Sequence, residues 1–366
     1  MEGGIGSKSF DACGSVSGPL QIWQPDQSSL PMLEGFDPDS KISLLREQID
    51  ANDDGTRGHL AFCGNIDINY ATALSTRFFF LNDWFVSIHL PAYHQELRNV
   101  AFVDKTENKN NADYLTKTLL TNNFAANMLE LGCLDIHGWK RTGIGDLTVL
   151  LNWYHNFPQP KDVLKMVTLN TRFGLSLPTG KRADINKLFA LPFGNDGACA
   201  IPFGLGLDLT LGNYFQAGID VQLTHIFGHS RDYRIKTALN QTELILLQKA
   251  RAYKDYGLTQ QFNLYAKMNN FFKGLSVLTG YQYLKHGQDY LALCNNKFSN
   301  TIVNTAESLQ ESTAHHIFIN TSYDFAVHTW DRTRVQPYIS LYAKIPFNGK
   351  RFTGSNMLGC VIAFDF

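Results

Sequence analysis

The sequence predicts an all-β protein, a transmembrane antiparallel up-and-down β-barrel of about 12 strands, with short helices in the extracellular loops. Three observations predict this fold. Apolar and polar residues alternate with a period of two along most of the chain. The polar positions carry mostly short side chains, and the segments are joined by short and long connections in turn. The sequence has no apolar run of about 18 residues, so it predicts no transmembrane helix.

Composition fits this class and argues against others. The chain has 32 basic and 33 acidic residues, a formal net charge of −1. It therefore has no excess of basic residues that would indicate a nucleic-acid partner. Hydrophobic residues make up 44 %, an ordinary value that a membrane barrel shares because its strands alternate lipid-facing and lumen-facing positions. Aromatic residues reach 13 %, consistent with aromatic girdles at the membrane interfaces.

The alternation is clearest between positions 205 and 211, where every second residue is leucine. Gly206, Asp208 and Thr210 occupy the positions between, and Gly212-Asn213 predicts a tight turn before the next strand. The same pattern predicts 11 strands over residues 62–70, 84–90, 146–153, 167–177, 205–211, 215–224, 262–269, 276–283, 317–325, 335–345 and 358–366.

The connections predict one further strand. Short connections lie near Asn82, Gln159, Asn213, Phe272 and Asp331; long ones span 103–140, 181–198, 236–257 and 295–313, with a shorter one near Gly349. In outer-membrane barrels the tight turns lie in the periplasm and the long loops outside the cell. With that arrangement, the strand at Phe62 begins at the extracellular side, so an earlier strand must cross the membrane before it. We predict that strand at Ser17–Trp23, followed by a loop over 26–57, which brings the total to an even number.

Domain bounds follow from this count. Residues 1–16 are expected to form an N-terminal periplasmic tail, and residues 17–366 a single barrel domain. The start at Met1 has neither a basic n-region nor an apolar h-region, whereas an outer-membrane protein needs a signal peptide that is later cleaved. We therefore interpret the chain as the mature form or as an engineered version of it.

Three loop segments have apolar residues at helical spacing: Ser40–Ile49, Asp113–Leu131 and Asn240–Ala252. The simpler interpretation is that these helices cap the loops and pack on each other. The alternative is that one of them folds inward as a gate or contacts a neighbouring barrel.

Alternation alone does not tell a membrane barrel from a soluble one, because the pattern is symmetric. The polar faces are rich in Gly, Asn, Asp, Gln and Ser and poor in Lys and Glu, which is typical of a crowded lumen. The chain also ends in an alternating strand that resembles the C-terminal signal of bacterial outer-membrane proteins. The signal positions are Gly359, Ile362, Phe364 and Phe366. This resemblance implies the outer membrane of a Gram-negative cell, contact with its lipid, and the barrel-assembly machinery as a partner; the alternative is an ordinary closing strand of a soluble sheet.

Two short motifs carry a family resemblance. Gly143-Ile144-Gly145-Asp146-Leu147 and the later Leu177-Pro178-Thr179-Gly180-Lys181 resemble the outer-membrane transporter family linked to phenol-degradation operons, a relative of the FadL-type channels for hydrophobic compounds. The resemblance implies a channel but names no solute. In physical terms, the two glycines of the first motif permit close strand approach, and Pro178-Thr179-Gly180 ends a strand in a turn.

The predicted lumen carries charged residues of both signs: Asp67, His89, Asp146, Arg172, Asp208, Asp220, Lys267, Asp324 and Lys344. Enclosed charges must be paired or hydrated. Two interpretations follow: an ion-pair network that holds a narrow barrel together, or polar groups that line a solute path.

We therefore predict a channel for passive uptake of small solutes, hydrophobic ones among them, either alone or as a homo-oligomer, with no cofactor. The alternative is a structural or adhesive surface barrel with a closed lumen. An outer-membrane phospholipase is less favoured, because His229 and Ser230 are adjacent on a strand and point to opposite faces. His315 and His316 diverge for the same reason, so no metal site is predicted.

The six cysteines contain no C-x-x-C pair, which argues against a zinc or redox motif. Cys133 and Cys294 lie in predicted loops and could form a disulfide in an oxidising compartment. For Cys63, Cys199 and Cys360 the expectation is at least equally a buried free thiol.

Overall fold

The computed structural model describes residues 1–50, 59–105, 123–325 and 336–365. Its strands are β1 (Glu2–Phe10), β2 (Val16–Ser17), β3 (Gln27–Ser28), β4 (His59–Leu81), β5 (Trp84–Asp104), β6 (Trp139–Ile144), β7 (Leu147–Pro158), β8 (Leu164–Leu177), β9 (Ala200–Leu211), β10 (Phe215–Ile226), β11 (His229–Ile235), β12 (Gln248–Asp255), β13 (Thr259–Phe272), β14 (Leu275–His286), β15 (Tyr290–Leu293), β16 (Ser312–Asp324), β17 (Gln336–Lys350) and β18 (Phe352–Asp365). Its helices are α1 (Ser29–Met32), α2 (Lys41–Asp50), α3 (Phe124–Gly132) and α4 (Asn300–Val303), with 3₁₀ turns at Pro19–Gln21 and Glu307–Leu309.

Twelve of these strands close an antiparallel barrel, as the alternation predicts. Going round the wall, the order is β1, β18, β17, β16, β14, β13, β10, β9, β8, β7, β5 and β4. The barrel closes where β1 pairs with β18 on one side and with β4 on the other, at Glu2 and Ala71.

The apolar face of the wall looks outward. On β9 and β10, Leu207 lies opposite Ile219, and Asp208 lies opposite Gly218 on the other face. Ile219 is 45 % exposed and Leu341 60 % exposed, whereas Asp208 is only 7 % exposed. A soluble sheet would show the reverse burial, so the predicted orientation is confirmed: the greasy face is on the outside and the polar face lines the interior. A continuous apolar exterior of this kind suits hydrocarbon rather than water.

Short turns join the strands at one end of the barrel, as predicted, near Asn82, Gln159, Asn213 and Phe272. The predicted turn near Asp331 lies outside the described residues. At the other end, β17 and β18 meet in a tight turn at Arg351. The five long loops at that end are L1 (11–58), L2 (105–146), L3 (178–199), L4 (227–258) and L5 (287–311).

The predicted first strand is wrong. Residues 17–23 hold the end of β2 and a 3₁₀ turn that begins at Pro19, and the first barrel strand is Glu2–Phe10, inside the segment expected to be a tail. The alternation of β1 is hidden because its inward positions include glycine and its pairing with β18 shifts between Ile5 and Ser7. A Cβ on Gly4 would lie 3.0 Å from the carbonyl oxygen of Ile68, so the close approach of β1 to β4 requires glycine there.

The loop helices are partly as predicted. The helix at 40–49 is confirmed as α2, and α3 covers the end of the predicted 113–131 helix, whose first part lies outside the described residues. The helix predicted at 240–252 is wrong. The backbone has positive φ at Leu246 and Leu247, and β12 begins at Gln248. Tertiary contacts override the local periodicity here.

The described parts of the five loops fold together into one cap at this end of the barrel. A first hydrophobic core joins L1, L2, L3 and L4 to the tops of β4 and β5, with Met32, Phe124, Leu188 and Leu246 among its fully buried members. A second core joins L4 and L5, where β11, β12 and β15 form a small separate sheet.

All six cysteines are free, so the proposed bridge between Cys133 and Cys294 is not formed. Cys63 and Cys199 are exposed rather than buried, and Cys360 is half-buried. Among the described residues, no helix combines the length and apolar composition needed to cross a membrane.

Candidate functional site

The lumen contains a belt of polar side chains that lies flat along the wall. Arg172 on β8 donates two hydrogen bonds to the carboxylate of Asp220 on β10, at 2.7 and 2.8 Å. Asn263 on β13 donates to the same carboxylate at 3.1 Å, and Gln282 on β14 donates to Asn263 at 2.8 Å. The belt therefore spans several neighbouring strands and pairs the buried charges that the sequence places here.

Glycines make room for this arrangement. Arg172 reaches Asp220 across β9, where a Cβ on Gly204 would lie 2.5 Å from the arginine Nε. One layer away, Tyr265 donates to Asp208 at 2.5 Å, and a Cβ on Gly218 would lie 2.3 Å from that carboxylate. Because these positions have no side chain, the polar groups lie against the wall.

Four further predicted lumen residues share the inward face but not this belt. His89 bonds to Ser75 and Ser87. Lys267 and Lys344 form no ion pair with a carboxylate of the described chain. Asp324 lies at the end of β16 opposite Tyr338, near the short turns. These residues are distributed over the wall rather than gathered into one site.

Asp67 does not face the lumen. Its neighbour Ile66 points into the first cap core, and Asp67 lies on the opposite face of β4, where it forms an ion pair with Arg98. The register of β4 shifts between Cys63 and Asn65 and again between Ile68 and Tyr70, so the alternation read from the sequence changes face.

Asp146 lies at the corner between β6 and β7 and joins the two sequence motifs. Its carboxylate accepts hydrogen bonds from the backbone N–H of Gly180 at 2.8 Å and of Asn195 at 2.6 Å. Thr179 donates to the carbonyl of Gly145 at 2.9 Å and accepts from the N–H of Leu147 at 2.9 Å. The two motifs therefore interlock at the rim, and the part they play here is structural.

A cavity of about 300 Å³ lies inside the cap, between its two cores. Apolar groups form most of its wall: Trp23, Leu134, Leu188, Phe189, Ile235, Leu244, Leu291, Val303, Ala306 and Leu309. The volume is at the lower end of the range for small-molecule sites, and such sites are mostly apolar with a few placed polar groups.

Most charged groups that line this cavity already have partners within the cap. Lys236 pairs with Glu243 at 3.3 Å, Arg231 pairs with Asp196, and Lys254 pairs with Asp289 at 2.7 Å. Burial raises the pKa of Glu243 despite its backbone hydrogen bonds and its lysine partner. Because these charged groups are already paired, they do not need an opposite charge on a ligand. The wall of the cavity is therefore best suited to an apolar molecule.

Arg234 ties three loops together beside the cavity. It donates to the carbonyls of Gly132 at 2.9 Å and Cys133 at 3.1 Å in L2, and to that of Ile185 at 2.5 Å in L3. Within L4 it also donates to the carbonyl of Leu246. Burial lowers its pKa to about 10, so it remains charged at neutral pH. Nearby, burial raises the pKa of the Tyr233 hydroxyl to about 12.

Asp289 clamps L5 to the barrel rim. Its carboxylate contacts Lys254 at 2.7 Å and His286 at 2.8 Å, and accepts from the N–H of Gly257 at 2.9 Å. Burial acts to raise the pKa of Asp289, but His286 and Lys254 outweigh burial, and the pKa lies below the usual 3.8.

This clamp predicts a pH dependence. A carboxyl whose folded pKa is depressed stabilises the fold above its unfolded pKa, and that stability is lost as the pH falls through the folded value. Asp289→Asn should therefore lower the cap's stability by about 2 kcal/mol at pH 7 and by less at pH 3, which lies below the unfolded pKa of 3.8. Tryptophan-monitored thermal unfolding at both pH values measures this. The matched control is Asp162→Asn, an exposed position in the β7–β8 turn; an equal loss for Asp289→Asn at both pH values would contradict the clamp.

The geometry gives no support to a catalytic pair at His229 and Ser230. Both ring nitrogens of His229 are buried without a hydrogen-bond partner in the described chain, and the ring stacks on Tyr256. His316 packs edge-on against Phe352, while His315 bonds to the Tyr281 hydroxyl at 2.6 Å on the outer face. Within the described ranges, no group of three His, Cys, Asp or Glu side chains could hold a metal ion.

Sequence reasoning missed the cavity and Arg234. Both depend on contacts between loops far apart in the chain, and no local pattern marks them. The one signal in the sequence was the apolar run Leu244–Leu247 in L4, which periodicity alone assigned to a helix.

Comparisons with known proteins are sparse. No family model matches the chain, and no curated protein matches it. Among solved structures, the chain is similar to an outer membrane channel from Pseudomonas putida F1, with a TM-score of 0.48 and 8 % identity, over 99 % of this chain and 92 % of that chain. At this level of similarity, neither a function nor a solute follows for this protein.

Proposed function

We propose that the protein is an outer-membrane channel for passive uptake of small, hydrophobic solutes. The observation that carries the proposal is the apolar cavity in the cap, which sits at the mouth of a barrel with a greasy exterior and a polar interior. A hydrophobic solute would move from the surrounding water into the cavity. It would then pass on to the lumen when the cap loops move. The phenol-operon resemblance is compatible with such solutes and remains a prediction.

The surrounding membrane follows from the wall. The apolar exterior would contact outer-membrane lipid, and the strand β18 would carry the assembly signal read by the barrel-assembly machinery. Ile362 and Phe364 are exposed on β18. Gly359 lies under the ring of Tyr342, where a Cβ would come within 2.3 Å of the ring. Phe366, the last signal residue, lies outside the described residues.

A cavity-filling variant tests the proposal. Ala306 lines the cavity and is 6 % exposed, so Ala306→Phe should fill the space without adding charge. The probe is N-phenyl-1-naphthylamine, an uncharged hydrophobic fluorophore that an intact outer membrane excludes. Cells that produce the protein should take it up faster than cells without it, and Ala306→Phe should remove most of that gain.

Ala217→Phe is the matched control, because Ala217 lies on β10 two residues before the outward Ile219 and shares its face. It should leave uptake unchanged. Heat-modifiable mobility on SDS gels shows that each variant has formed its barrel. Uptake equal with and without the protein, together with silent planar bilayers, would contradict a channel and favour the closed surface barrel. Fatty-acid release that Ser230→Ala abolishes would instead favour a phospholipase.

A further inference from the structure

An open cleft of about 500 Å³ lies on the cap, outside the apolar cavity. It is bounded by β6, the first part of L3 and the start of β11. Its basic side chains are Lys140, Arg141, Lys181, Arg182, Lys187 and Arg231, and its acidic ones are Asp184 and Asp232. We call this set the basic cleft.

Two of the six cations are neutralised by carboxylates outside the cleft. Lys140 pairs with Glu96 at 3.2 Å, and Arg231 pairs with Asp196. The other four make no ion pair with a carboxylate of the described residues. Four unpaired cations against the two lining carboxylates leave a net charge of about +2 in the cleft (4 − 2 = 2).

The positive charge is built in rather than left on mobile side chains alone. Arg141 is 6 % exposed, and its guanidinium donates to the carbonyls of Leu191 and Arg182. It also lies 5.1 Å from the ring centroid of Phe193. Carbonyls and rings hold an arginine in place but do not cancel its charge, so the field persists in the cleft.

Like charges held together raise the free energy of the folded cap, and a bound anion removes that cost. Lysine and arginine bind oxyanions through short charge-assisted hydrogen bonds. A phosphate monoester carries about −1.5 to −2 charges at neutral pH, which matches the excess in the cleft. A single carboxylate would neutralise only half of it.

We propose that the basic cleft is a binding site for a phosphate group, carried either by a soluble phosphate compound or by the headgroup of a phosphorylated membrane lipid. The site does not rest on the channel proposal. It does share a wall with the cavity, because Asp184, Ile185, Lys187 and Arg231 line both. The cleft would bind a phosphate group, whereas the cavity would bind an apolar molecule.

Calorimetric titration tests the soluble source. The protein is held in an uncharged detergent at low salt and titrated with inorganic phosphate. Arg182→Gln/Lys187→Gln should weaken binding at least about tenfold, which corresponds to roughly 1.4 kcal/mol. Lys161→Gln/Lys165→Gln removes two cations at the opposite end of the barrel and should bind as the wild type does. Binding should also weaken as salt is added.

A second arm tests the lipid source. The protein is placed in phosphatidylcholine nanodiscs that contain either diphosphorylated lipid A or its dephosphorylated form, and retained lipid is counted by native mass spectrometry. Retention of the phosphorylated form only, lost in Arg182→Gln/Lys187→Gln, identifies a lipid headgroup as ligand. Binding of inorganic phosphate without lipid retention identifies a soluble phosphate compound. If wild type and the double variant behave alike in both arms, the basic cleft is not a phosphate site; neither readout depends on solute uptake.

Discussion

Arg234→Met should release the cap loops from one another while the barrel stays closed. The substitution keeps an apolar chain in the same space but removes the guanidinium N–H groups that bond to the carbonyls of Gly132, Cys133, Ile185 and Leu246. Buried carbonyls left without a partner cost about 1 to 3 kcal/mol each, so we expect a loss of roughly 3 kcal/mol or more in the stability of the cap. That is among the larger effects that a single substitution produces.

The measurement separates cap from barrel. Thermal unfolding followed by tryptophan fluorescence should show an earlier cap transition, because Trp23 and Trp139 belong to the cap. Heat-modifiable mobility on SDS gels should be unchanged, because the barrel strands do not depend on Arg234. Arg251→Met is the control, an exposed arginine on β12 in the same small sheet. An unchanged cap transition in Arg234→Met would show that the loops are held by their apolar cores alone.

Arg172→Ala should change both the stability of the barrel and the ion selectivity of its lumen. The side chains of Arg172 and Asp220 are only 20 % and 15 % exposed, so removing the arginine leaves a largely enclosed carboxylate with Asn263 as its remaining side-chain donor. Removing one member of a buried pair costs about 3 kcal/mol or more. The uncompensated Asp220 should also shift the reversal potential in a KCl gradient towards cation selectivity.

Two variants show whether Arg172 only stabilises the barrel wall or also lines the path of the solute. Arg172→Ala/Asp220→Ala restores the charge balance and should recover the wild-type reversal potential, together with part of the lost stability. Arg77→Ala removes a lumen cation on β4 that is exposed and has no ion pair within the described chain, so it should leave stability unchanged. If Arg172→Ala destabilises the barrel but leaves selectivity as it was, the belt is a support only.

The barrel was predictable because a period of two needs only local sequence. Residues 205–224 specify two strands, their turn and the face that meets lipid, and the structure agrees at each point. The prediction failed where one extra residue changes the face. Asp67 lies between two register shifts of β4, and no feature of the amino-acid sequence marks either shift. The glycines of β1 similarly hid a strand whose position depends on its two neighbours.

The cap was not predictable in the same way. Leu246 and Leu247 read as helix in isolation but take positive φ values, in a segment whose carbonyls bond to Arg234. The cavity needs L1 to L5 to meet, so its walls come from segments more than 200 residues apart. Local patterns carry the strands; the site depends on long-range contacts that a single sequence does not display.

One polypeptide here is folded by two different solvents. The wall turns its leucines and isoleucines towards hydrocarbon, whereas the cap hides its own from water in two cores. Urea weakens apolar contacts only where water would replace them. It should therefore unfold the cap at concentrations that leave the membrane-embedded barrel intact. Bilayer composition should act on the other half alone, which gives an experimenter separate control of the two parts.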